Sequence, residues 1–194
     1  SSVKTVDVLI GETPNLSIAN PSAVCFPSTV DITQSVTDNN NTNGVVTYWS
    51  NSNATNAIVA PSAISESGTY YIQSQNGQCK DIKSVSVTIQ SVPSFTLASK
   101  VSICEGTVDL SDEASGLSSN STLEYASNSN FSTVIASVVS SPGIYYVRAV
   151  NSTGCYSQAK LITVEIAGTP DLAVTNPNTI CEPNTVSITT SLTD

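Results

Sequence analysis

Five cysteines, Cys25, Cys79, Cys104, Cys155 and Cys181, are the side chains best suited to covalent chemistry in this 194-residue chain, which has no histidine. Without histidine the commonest general base and the commonest metal ligand are both missing. No two cysteines stand in a CxxC spacing, so zinc binding and dithiol redox chemistry give way to a disulfide framework. Asp112 and Glu113 are the one close acid pair in the repeats. Neighbours on a strand point to opposite faces, so they cannot act together on a glycoside. Asp38 and the Asn-rich stretch 39–44 echo a calcium loop, but their ligands are nearly all neutral and no glutamate closes the loop. A solvated turn is expected there. Lys4, Lys83 and Lys160 recur at one strand position and, with Asp31 or Asp109, could form an isopeptide cross-link. The third copy carries Ser187 in place of the acid, and a recurring edge lysine also discourages strand-to-strand aggregation. No catalytic, cofactor-binding or metal-binding set emerges, and a non-enzyme is expected.

Charge and hydropathy narrow the partners. A formal charge of −9 with only six Lys and Arg excludes the basic face that nucleic acid requires. The same deficit argues against an anionic membrane surface. No run of eighteen apolar residues is present, so no direct membrane insertion is expected. The first residues lack the basic-then-apolar pattern of a secretory leader, which reads as mature or internal sequence. Abundant Ser, Thr, Asn and Val suit short half-buried strands with hydroxyl-rich outer faces, as on extracellular β proteins.

The elements that would carry these residues repeat. Stretches 4–10, 83–89 and 160–166 (KTVDVLI, KSVSVTI, KLITVEI) each lead to a proline and then a cysteine. Those cysteines recur at offsets of 79 residues (25 to 104) and 77 residues (104 to 181). Within a repeat the apolar period is two almost throughout. Alternating strands are expected at 29–36, with 107–110 as its equivalent, and at 45–49, matched by 121–125. Short strands are expected at 57–60 and 133–136. The clearest pair is 68–73 and 143–148 (GTYYIQ, GIYYVR), followed by Asn76-Gly77 before Cys79 and Thr153-Gly154 before Cys155. Asn-Gly is a strong hairpin signal because both turn residues need positive φ. The fold class is therefore all-β: tandem immunoglobulin-like sandwiches of about 78 residues per repeat. Residues 1–11 read as the last strand of a preceding repeat, 12–90 and 91–168 as two full repeats, and 169–194 as the first strands of another.

Cysteine, then T-V-x-I/L, Tyr-Trp, S-G-T-Y-Y and N-G-x-C resembles the Ig-like or PKD-like tandem repeats of large Bacteroidota cell-surface adhesins, gliding-motility adhesins exported by type IX secretion among them. The resemblance covers both full repeats and both partial ones. It implies a secreted protein on the bacterial cell surface, acting as a stalk or spacer in surface adhesion or gliding motility. Its partners would be neighbouring repeats and extracellular polysaccharide or surfaces. The alternative from composition alone is a carbohydrate-binding module array of a secreted hydrolase, against which the low aromatic content of 6% speaks.

One bridge per repeat pairs Cys25 with Cys79 and Cys104 with Cys155, leaving the partner of Cys181 outside the chain. Strand parity offers a rival. An even number of intervening strands places both cysteines of a repeat at one end. An odd number places them at opposite ends, beyond disulfide reach, and favours Cys25 with Cys155. Trp49, Tyr70, Tyr71, Tyr145 and Tyr146 are expected as structural aromatics, with the Trp49 indole in the core rather than on a sugar platform. Gly68 and Gly143 are expected to be needed where the chain turns into the tyrosine strand.

Overall fold

A computed structural model describes residues 3–6, 11–39, 44–170, 173–174, 179, 181–182, 184–185 and 192–193. They form two compact units. Unit 1 comprises Ser1–Pro93 with Asn151–Tyr156, and unit 2 comprises Ser94–Val150 with Ser157–Asp194. The turn before the last strand of the second repeat, expected with residues 91–168, thus belongs to unit 1. Of the leading strand expected at 4–10, residues 4–6 are not in a strand and 7–10 lie outside the described residues, as do 40–43 of the Asn-rich loop.

Unit 1 contains β1 (Leu16–Ile18), β2 (Val24–Cys25), a 3-10 turn (Ile32–Ser35), β3 (Val36–Asn39), β4 (Val45–Trp49), β5 (Gly68–Asn76), β6 (Cys79–Val87) and β7 (Ile89–Gln90). Strands β4, β5 and β6 form one antiparallel sheet, and β1 pairs with β3 in another. Strand β2 closes in parallel on β7, with Cys25 opposite Gln90. Period-two alternation turns Tyr48, Tyr70, Ile72, Val85 and Val87 onto a core that also takes Leu16, Val30, Ile32 and Ile64. Ile72 and Val85 are fully buried, and each such side chain contributes about 1.5–3 kcal/mol through lost water contact.

Unit 2 repeats the plan with β8 (Thr96–Leu97), β9 (Lys100–Ile103), β10 (Val108–Asp109), β11 (Ala114–Ser115), β12 (Ser121–Ala126), β13 (Val134–Ile135), β14 (Val138–Val139), β15 (Gly143–Asn151), β16 (Lys160–Ile166), β17 (Ala173–Val174) and β18 (Leu192–Thr193). One sheet runs β13-β12-β15-β16-β9, its last pair parallel. The pairs β8–β11 and β10–β14 face it. Between them lie Phe95, Val108, Leu110, Tyr125, Val139, Val147, Ala149, Ile162 and Val164.

Two further observations mark both sandwiches as immunoglobulin-like. Tyr70 Oη donates to the Glu66 carbonyl at 3.0 Å, and Tyr145 Oη donates to the Ser141 carbonyl at 2.8 Å. Each phenol reaches four residues back to fix the chain as it enters the long strand, which is the tyrosine corner of that fold. The chain is all-β and immunoglobulin-like, with no α-helix among the described residues.

Two further strand expectations fail. Residues 57–60 form no strand, Ala57 making only an isolated bridge to Trp49. Residues 29–36 do not run as a single strand: Val30 makes an isolated bridge to Ile64, and the chain then coils through Ile32–Ser35. Asp31 causes the break, because its carboxylate accepts from the Thr33 amide and hydroxyl. That local bond competes with the ladder. Asp109 makes the same bonds to Ser111 in unit 2.

Candidate functional site

The disulfide joins Cys25 to Cys155, with Cα atoms 5.6 Å apart at a sequence separation of 130 residues. Neither expected within-repeat pairing is formed, and Cys79, Cys104 and Cys181 are free thiols. Strand order gives the reason. Cys79 opens β6, whereas Cys25 lies opposite Gln90, where β7 ends. At about 3.3 Å per residue, the run from 79 to 90 separates the two by roughly 36 Å. Likewise Ile103, just before Cys104, pairs with Ile166 at the end of β16, whose start Cys155 precedes. The odd-parity arrangement is the one realised.

Asn151 builds the seat of the bridge. Its Oδ1 accepts from the Thr153 amide, the Thr153 hydroxyl and the Cys155 amide, and its Nδ2 donates to the Ser91 carbonyl at 2.9 Å. Gly154, at φ +83, completes the turn in a conformation L side chains rarely adopt. Cys155 is fully buried, and Gln90 Oε1 lies 3.3 Å from its sulfur.

The indole is the second correction. Tyr48 faces the core, so Trp49, its strand neighbour, faces outward, opposite Tyr71 in register. Trp49 is half-buried, and its Nε1 donates to Thr47 Oγ1 at 2.9 Å. It lines a recess of about 340 Å³ with Asn53, Gln73, Gln75 and Lys80. Unit 2 has Ala126 at this position, yet Ala126 is fully buried. Phe131 is the equivalent of Ala54 and is itself 8% exposed. It carries Arg148 over its ring at 4.1 Å, while Arg148 binds Glu124 at 2.8 Å. Sequence reasoning singled out neither Phe131 nor Arg148. Their signal was the exchange of large and small residues across the aligned pairs 49/54 and 126/131.

Gly68 and Gly143 lie beneath the corner tyrosines. A Cβ there would meet the Tyr70 or Tyr145 ring at 3.8 and 3.9 Å, which is ordinary contact. A clash with the tyrosine ring is therefore not what selects glycine at either position. Tyr146 lies opposite Leu161 on the face away from the core-packed Tyr145.

The acids considered for cross-links are engaged otherwise. Hydrogen bonds from the Thr33 side chain and backbone hold the Asp31 carboxyl below its usual range, and those from Ser111 do the same for Asp109. Lys83 pairs with Asp81 at 3.3 Å, and Lys160 donates to the Phe95 carbonyl.

No protein-family model matches the chain, and no curated protein matches it. Among solved structures it is similar to titin domains z1z2 in complex with telethonin, at 10% identity over 84% of this chain and 100% of that one, with a TM-score of 0.33. It is also similar to Drosophila OTK extracellular domains 3–5, at 11% identity over 80% and 62% of the two chains, with a TM-score of 0.39. The insect immune protein hemolin matches at 11% identity over 80% and 47%, with a TM-score of 0.37.

Proposed function

We propose that the chain is a non-catalytic spacer segment of a secreted bacterial cell-surface adhesin, serving surface adhesion or gliding motility by carrying tension. The observation that supports this reading is the Cys25–Cys155 bridge. Tension applied upstream of Cys25 and downstream of Cys155 passes through the sulfur–sulfur bond. The intervening stretch, a sequence separation of 130 residues, stays out of the force path. Fully extended, that stretch would add roughly 430–470 Å. A disulfide of this kind belongs to an oxidising compartment. The low charge density and acidic balance keep such a chain soluble and unattractive to its own copies.

Single-molecule stretching between the chain ends tests the reading. The oxidised chain should release only the residues outside the bridge. After reduction, the same chain should gain roughly 430–470 Å of extension. Full extension without reductant would overturn the proposal.

One observation favours a second reading, a saccharide-binding module. The Trp49 recess places an aromatic face beside amides and Lys80, which has no ion-pair partner among the described residues. Saccharide binding on a glycan array that Trp49→Ala abolishes would favour that reading over the spacer.

A further inference from the structure

The bridge defines a rule. The cysteine at the end of the first parallel strand of one repeat joins the cysteine in the last hairpin of the next. By alignment, Cys25, Cys104 and Cys181 are of the first kind, and Cys79 and Cys155 are of the second. A second observation applies the rule to Cys79 independently. Cys155 sits beside Gln90, the residue that Cys25 faces in the β2–β7 ladder. Gln90 follows the stretch 83–89, as Gly11 follows the stretch 4–10, which makes Gly11 its equivalent in the earlier copy. Cys79 Sγ lies 3.5 Å from the Gly11 carbonyl, and a Cβ on Gly11 would meet that sulfur at 3.6 Å. Cys79 thus lies against the residue aligned with the one that Cys155 lies against, one repeat earlier, with the first-type cysteine of the preceding copy still to be supplied.

We infer that Cys79 and Cys104 are the open ends of a continuous disulfide ladder. Cys79 bonds the first-type cysteine of a preceding repeat, and Cys104 bonds the hairpin cysteine of a following repeat. The inference rests on the spacer reading and extends it, because each repeat would hand tension to the next through sulfur. Each new bridge forms by thiol–disulfide exchange with a disulfide oxidant such as oxidised glutathione. The attacking thiol gives up its proton as thiolate and forms a mixed disulfide, expelling one glutathione thiolate. The second cysteine thiolate then displaces the other. Two protein thiols become one disulfide as one oxidised glutathione becomes two reduced ones.

The test duplicates residues 12–168 in tandem within the full chain and oxidises the product with a glutathione couple. The second copy then supplies a hairpin cysteine, its own Cys79, one repeat after the first copy's Cys104. The parent chain has three free thiols. The duplicated chain gains four cysteines, and the ladder again leaves three free, with the first copy's Cys104 joined to the second copy's Cys79 on non-reducing peptide mapping. Five free thiols, or Cys104 joined to any other cysteine, would overturn the ladder. Cys79→Ser in the second copy alone should return Cys104 to a free thiol. Should Cys25–Cys155 itself be missing from the parent, the spacer reading fails. Should it be present while Cys104 stays unpaired, only the ladder fails.

Discussion

The outer sheet faces of the two repeats solve one problem in different ways. In unit 1 the cover comes from the strand, as Trp49 on β4, while the following turn carries only Ala54. In unit 2 the strand position shrinks to Ala126, and the turn supplies Phe131. The two turns share one geometry. Ala54 and Phe131 sit at φ 51 and 54, and each donates its amide to the carbonyl of an asparagine three residues earlier. Beneath the cover, unit 1 places neutral Thr47 and Gln73, and unit 2 places the Glu124–Arg148 pair. Backbone is kept while chemistry moves between addresses. The first repeat has an open recess beside its aromatic ring.

The largest break in this comparison should come from the disulfide, which lies in unit 1. Closing so long a loop contributes about 5 kcal/mol in the chain-entropy model. Cys25→Ser should therefore lower the unfolding midpoint of unit 1 strongly and that of unit 2 little. Trp49 is the only tryptophan, so its fluorescence follows unit 1 by itself. Equal loss in both units, read by proteolysis of each, would break the comparison.

A smaller effect separates the covers. Phe131→Ala removes a ring that is 8% exposed, and should cost unit 2 about 3 kcal/mol in chemical denaturation. Trp49→Ala removes a half-buried ring and should cost unit 1 about 1–2 kcal/mol. Reversal of that order would show that the strand cover, not the turn cover, is the stronger.

The smallest effect concerns pH. Asp31 and Asp109 have carboxyl pKa values lowered chiefly by side-chain hydrogen bonds from Thr33 and Ser111, and Glu165 has one lowered chiefly by its hydrogen bond with Lys100. A lowered folded pKa stabilises above the ordinary carboxylate range, and the gain is lost as pH falls through the folded value. Burial raises the Tyr48, Tyr70 and Tyr125 phenols. That contribution is intact below about pH 10 and is lost above it. The melting temperature should thus be flat between pH 6 and 8 and fall at both extremes. A step near neutrality would contradict the assignment.

Much of this was legible because strands and hairpins are local. Period-two runs located β4, β5, β12 and β15, and Asn76-Gly77 located a turn in which Gly77 takes φ +58. Three features left no such signal. The β2–β7 contact is a two-residue parallel pair with no periodic trace, and it decides which end of the sandwich holds Cys25. The Asp31 turn hides inside an alternating string. Tyr48 and Trp49 are both aromatic, so composition alone could not say which faces inward. The bridge was therefore legible as chemistry and misread as pairing.

The Glu124–Arg148 pair has a further consequence for how the chain folds. Tandem repeats of similar shape are prone to exchange strands with one another before either is complete. Were β12 to dock on β5 instead of β15, Glu124 would face Gln73, and Arg148 would be left half-covered without its carboxylate. The Trp49 ring would lose its place on the same sheet. A charge pair confined to one repeat thus works as a mark of identity, making the wrong neighbour the poorer partner when both are available.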